Sequence, residues 1–191
     1  MTGASEALAA WRENCRNLHQ AEMDALLSRG VPPLALARDP GAWSYGFAIR
    51  GARVVERPDL GLFDFCPDDP ATQRALIIPL RDEWGEVADL LAWFPREDRA
   101  AVWADAVCLA GQQEIATAAG GQEPVRVHAS ILEWLRAGRS GVVILDPVRA
   151  AALLHGVTIA APSPAIGRAL DSLLTLRPRI VVPVTEHRRA A

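Results

Sequence analysis

Asp146 closes the apolar run Val142-Val143-Ile144-Leu145 and stands directly before Pro147. A carboxylate at the carboxyl end of a buried strand occupies the place where open α/β sheets set their ligands, and its hard oxygens suit a divalent cation. The same dipeptide is also an ordinary helix start. An Asp side chain accepts from the first free N–H groups, and proline tolerates the first helical position. A second group is arginine. Arg136 and Arg139 surround Gly138, Arg177 and Arg179 surround Pro178, and Arg188-Arg189 lie near the end. If they converged, these guanidinium forks would form a phosphate-contacting patch. Scattered, they reflect only the bias of an alanine-rich chain that carries arginine and no lysine. Trp84, in the polar turn Asp82-Glu83-Trp84-Gly85-Glu86, is a large aromatic at a turn and so a candidate contact residue.

The remaining reactive types have plainer readings. His128 could be a ligand at a sheet end, but no acid or cysteine neighbours it, and His155 before Gly156 suits a helix C-terminus. The pairs Asp68-Asp69 and Glu97-Asp98 adjoin prolines or turns and read as turn residues. There is no GxSxG elbow, no base near a cysteine, and Gly120-Gly121 is too sparse for a phosphate cradle.

These residues need elements to hold them. Ser5 as N-cap, then Leu8, Trp11, Cys15, Leu18, Met23, Leu26 and Leu27, predict one long amphipathic helix to Arg29, stopped by Gly30 and Pro32-Pro33. Short β-rich runs between Trp43 and Phe65 predict a small irregular sheet. Ala75 to Leu80, the polar turn, and Val87 to Trp93 predict a hairpin, with Pro79 placed where its absent N–H faces no partner. Residues 111–124 read as a linker, with a short helix over 112–119 as the alternative. Beyond them the chain alternates: strand 125–127, helix 130–137, strand 142–145, helix 147–154, strand 157–160, helix 164–176 and strand 179–184. Apolar strands without polar alternation fit a parallel sheet covered on both faces.

The whole chain has 191 residues, 50% apolar and 23% charged, with a net charge of −3. That excludes a disordered chain, and no apolar run reaches the roughly 18 residues of a membrane span. The N-terminus predicts no secretory signal, and three cysteines without a CxxC pair predict a cytoplasmic protein. No global basic field is present, so nucleic-acid binding would need a local patch.

Three stretches, in order, resemble the catalytic core of bacterial-type DNA primases. Asp24-Ala25-Leu26-Leu27-Ser28-Arg29-Gly30-Val31 is similar to the family's helix-ending "yLxxRGi" segment. Arg74 to Val87 is similar to its "R-x-x-x-P-I-R-D-x-x-G-x-V" hairpin. Val142 to Ala160 resembles the opening of a Toprim domain, with His155-Gly156 at the end of its helix. The resemblance implies an α+β / α/β protein: a long N-terminal helix and a small mixed β subdomain with a hairpin over 1–110, a linker over 111–124, a Toprim-like parallel-sheet subdomain over 125–187 and a tail over 188–191. It also implies a Mg²⁺-holding carboxylate set, of which two at most, Asp146 and Glu186, survive in this chain in altered geometry. Asp146 replaces the first-strand glutamate, Arg149-Ala150 falls near a later aspartate, and Glu186 alone remains in Val182-Pro183-Val184-Thr185-Glu186.

The leading expectation is therefore a catalytically degenerate primase-core-like accessory protein, of the kind phages and mobile elements carry. It would bind nucleic acid or a replication partner through Arg136, Arg139, Arg177 and Arg179, without a cofactor. One alternative is a Mg²⁺-dependent phosphoryl or nucleotidyl transferase using Asp146 and Glu186. Another is a protein-interaction module built on Trp84 and the Trp93-Phe94 edge.

Overall fold

The computed structural model describes residues 3–37, 48–119 and 124–174. Its first feature corrects the expectation of one long N-terminal helix. Helix α1 (Gly3–Asn14) ends, strand β1 (Arg16–Asn17) intervenes, and helix α2 (Gln20–Ser28) begins anew. The break has a local cause. Asn14 turns its side-chain amide back to the Ala10 carbonyl (2.9 Å), while the Glu22 carboxylate accepts the His19 N–H (2.8 Å) and so opens a second helix. The expected stop holds: Gly30 has φ 84°, and the Val31 N–H reaches the Leu26 carbonyl. Helix α3 (Pro33–Ala37) follows.

Five strands then close into a barrel: β2 (Arg50–Arg57), β3 (Leu62–Asp64), β4 (Gln73–Arg81), β5 (Val87–Phe94) and β6 (Arg99–Val102). β2 lies antiparallel between β3 and β4, β4 pairs with β5, and β5 with β6. β6 meets β3 in parallel at Leu62 opposite Val102, which completes the ring. β1 adds to β2, Arg16 opposite Gly51. β4 and β5 are the predicted hairpin. Its turn is tied by the Asp82 carboxylate, which accepts from the Trp84 and Glu86 N–H groups (3.0 and 2.9 Å). Pro79 sits opposite Leu90, past the Arg50–Ile77 pair where β2 begins, so no rung on that side requires its N–H.

Both faces of the hairpin are buried, which its continuous apolar runs foretell. Ala75, Ile77, Leu90, Ala92 and Phe94 pack with Ala7 and Trp11 of α1 and with Cys15 just after it. On the other face Leu76, Ile78, Leu80, Leu91 and Trp93 pack with Leu26 of α2, and also with residues far along the chain, Ile131, Trp134, Leu135 and Val143.

Residues 95–124, which show no motif, supply β6, strand β7 (Leu109–Ala110) and helix α4 (Gln113–Ala119); Gly111 and Gln112 are buried. Beyond come β8 (Val125–Arg126), α5 (Ile131–Arg136), β9 (Val143–Ile144), α6 (Pro147–Leu153), β10 (Ile159–Ala160) and α7 (Pro164–Leu174). β8 pairs with β10 in parallel, and Val127 bridges Val142 in parallel. β9 pairs with β7 antiparallel, a partner the strand–helix alternation does not foretell. Cys108, Leu109, Val125, Val127, Val142, Ala150 and Leu154 form the third core. The protein is a mixed α+β structure in which the barrel and these short strands share buried residues. No helix of the described residues is long and apolar enough to cross a membrane.

Candidate nucleic-acid interface

Three arginines distant in sequence meet at one groove. It has a volume of about 560 Å³ and runs between α2, the start of β4 and the turn joining β5 to β6. Leu26, Leu76 and Pro95 lie along it, and Arg29, Arg74 and Arg96 border it, against Glu22 and Glu97.

Arg74 is the most firmly placed of them. Its Nε donates to Glu22 Oε1 (2.8 Å) and its Nη2 to Oε2 (3.0 Å), a two-point fork. That hydrogen bond is the largest influence holding the Glu22 carboxyl below the ordinary carboxylate range, and it raises Arg74 in turn. The same Glu22 opens α2, so one carboxylate starts the helix and sets the guanidinium. Gly51 leaves the space: a Cβ there would lie 2.0 Å from Arg74 Nη2. Arg29 ends α2. Its Nη1 donates to the Pro95 carbonyl (3.0 Å), and its guanidinium lies 5.7 Å from the centre of the Trp93 ring. Arg136, exposed at the end of α5, donates from Nε to the Arg29 carbonyl (2.6 Å) and so ties α5 to the end of α2.

The residues singled out from sequence are divided by the structure. Arg136 is exposed and tied to the Arg29 backbone, but it is not among the residues that line the groove. Arg139, at φ 64°, is only 1% exposed and is therefore no surface contact. Arg177, Arg179 and Glu186, with the expected strand over 179–184, lie outside the described residues. Arg29, Arg74 and Arg96 were not candidates from sequence. The first two stand inside the resembling motifs, but nothing in their spacing shows that they converge with Arg96.

Asp146 serves as the N-cap of α6, accepting from the Val148 and Arg149 N–H groups (2.9 and 3.2 Å). Its neighbours are likewise engaged. Arg149 pairs with Asp105 (2.6 Å), and Glu83 accepts from the Gln112 amide (2.7 Å). Burial raises the Cys108 thiol; Arg149 opposes this, while Asp146 and Glu83 add to it. Among the described residues, no three His, Cys, Asp or Glu side chains stand together as a metal site. His128 is tied to the Ser140 carbonyl at 2.8 Å, a structural contact.

Trp84 is 79% exposed at the hairpin tip. Asp89, by contrast, is fully buried. Its carboxylate accepts from the N–H groups of Leu90, Ala104 and Ala106 (2.7, 2.9 and 2.7 Å), pinning the loop after β6. Burial still raises its pKa against those bonds.

Compared with protein-family models, with curated proteins and with solved structures, the chain matches none.

Proposed function

We propose that this protein is a catalytically degenerate, primase-core-like accessory protein that binds single-stranded nucleic acid. The observation that carries the reading is the meeting of Arg29, Arg74 and Arg96 on one groove. Guanidinium groups at a groove's border neutralise backbone phosphates, and a near-neutral chain gains binding from such a local patch. The Toprim-like part of the reading draws support from the parallel pairing of β8 with β10 and of Val127 with Val142. The degenerate part rests on Asp146, whose carboxylate is spent on capping α6.

Fluorescence anisotropy with a labelled single-stranded oligonucleotide at low salt tests the proposal. Binding should weaken as salt rises. In Arg96→Glu the slope of log affinity against log salt should become shallower by about 0.7 for each phosphate contact removed. No binding at low salt overturns it.

A second reading, a module that docks a replication protein, is favoured by the exposure of Trp84 alone. It requires a partner whose capture is lost in Trp84→Ala while oligonucleotide binding is unchanged.

A further inference from the structure

The groove between α2 and the β4 start is more than a charged surface. It is concave because α2 turns Ala21 and Ala25 toward it, one helical turn apart, where longer side chains would fill it. Below them Leu26 and Leu76 are 2% and 4% exposed and form an apolar base. The charged groups belong to the border. Arg74 is held by Glu22, Arg29 by the Pro95 carbonyl, and Arg96 and Glu97 stand on the turn that follows. A purely electrostatic track would need no apolar depth, and a site for an aliphatic ligand would need no guanidinium groups. The volume, about 560 Å³, falls within the roughly 300–1,000 Å³ range of pockets that enclose a small ligand.

We infer that the pocket seats one unstacked nucleotide of a single strand, its base over Leu26 and Leu76 and its phosphate against Arg74 and Arg96. This rests on the nucleic-acid reading above and adds to it a base-sized recess. The division of labour follows from the chemistry. A base presents a flat, weakly hydrated face that an apolar base of a pocket takes from water, while its phosphate calls for a guanidinium fork. Glu22 occupies the Nε–Nη2 edge of Arg74, so the guanidinium is oriented before any strand arrives; the phosphate takes the remaining edge, Nη1 and the second Nη2 hydrogen, and little ordering is needed on binding.

The test compares two labelled oligonucleotides of equal length and charge, an all-thymidine strand and one with abasic sites throughout. The thymidine strand should bind roughly fivefold more tightly, from the apolar surface its base covers. Ala25→Trp, an exposed substitution that fills the recess, should bring the thymidine strand down to the abasic affinity and leave the abasic strand unchanged. Gly51→Ala, which displaces the Arg74 guanidinium, should weaken both. Equal affinity of the two strands for the unaltered protein, with both weakened by Arg96→Glu, would overturn the recess and leave a backbone-binding groove standing. Failure of either strand to bind at low salt would overturn both the recess and the proposed function.

Discussion

Side chains of one type fare differently here according to what surrounds them, and cysteine shows it most cleanly. Cys15 is 2% exposed beneath α1, and burial pushes its thiol up to about 12; Cys108 is raised in the same direction. Cys66 is exposed. Because the thiolate is the reactive form, a thiol titration of the native protein at pH 8 should count one rapidly reacting group, and three after denaturation. Substituting Cys66 by serine should abolish the rapid phase. The arginines teach the same lesson. Sequence marks Arg136 and Arg139 as a pair around Gly138, yet the reversal of the chain after α5 leaves one exposed and buries the other. Arg29 and Arg74 matter more, and what places them is a carboxylate, a carbonyl and a glycine far away in the chain. Partners at such distances leave no mark in local spacing.

Elements were legible where their signals are local. Asp146-Pro147 names the start of α6, and the structure supplies the cap bonds. Asp146→Ala should therefore lower stability by about 1 kcal/mol, as a lost cap does, with oligonucleotide affinity unchanged; denaturant unfolding alongside anisotropy separates the two. A transferase that depended on Asp146 would instead lose its turnover in this variant. The β4–β5 hairpin was equally readable, because a polar, glycine-containing turn divides two apolar runs. The sequence predicts one N-terminal helix because Cys15 and Leu18 fall at helical spacing. The break comes from Asn14 and from the Glu22–His19 bond, which outweigh the apolar period. β6 and β7 went unread since four-residue and two-residue strands carry too little pattern to stand out.

At the scale of the molecule, the second half cannot be treated as an appendage. Ile131, Trp134 and Leu135 of α5 share a core with Ile78, Leu91 and Trp93 of the hairpin, and Trp134 also donates to the Gly141 carbonyl (3.0 Å). The protein should unfold in one transition, with tryptophan fluorescence and far-ultraviolet dichroism coinciding. Trp134→Ala should lower stability by about 3–5 kcal/mol for the whole, not melt one part alone. The barrel was the least foreseeable feature, since its closure depends on a parallel contact between two short strands. That closure also shapes how the ring yields. Among the described residues the β3–β6 seam consists of the Leu62–Val102 pair and the hydrogen bond from the Val102 N–H to the Gly61 carbonyl (3.0 Å), whereas β4 and β5 are laced along their length. Such a ring behaves as a spring clip with one weak clasp. It parts first at the seam, with the laced hairpin still paired and the packing of Phe63 and Ala101 on its core resisting the opening; what it becomes on parting is a curved sheet with two bare edges, reached by a local opening cheaper than unfolding.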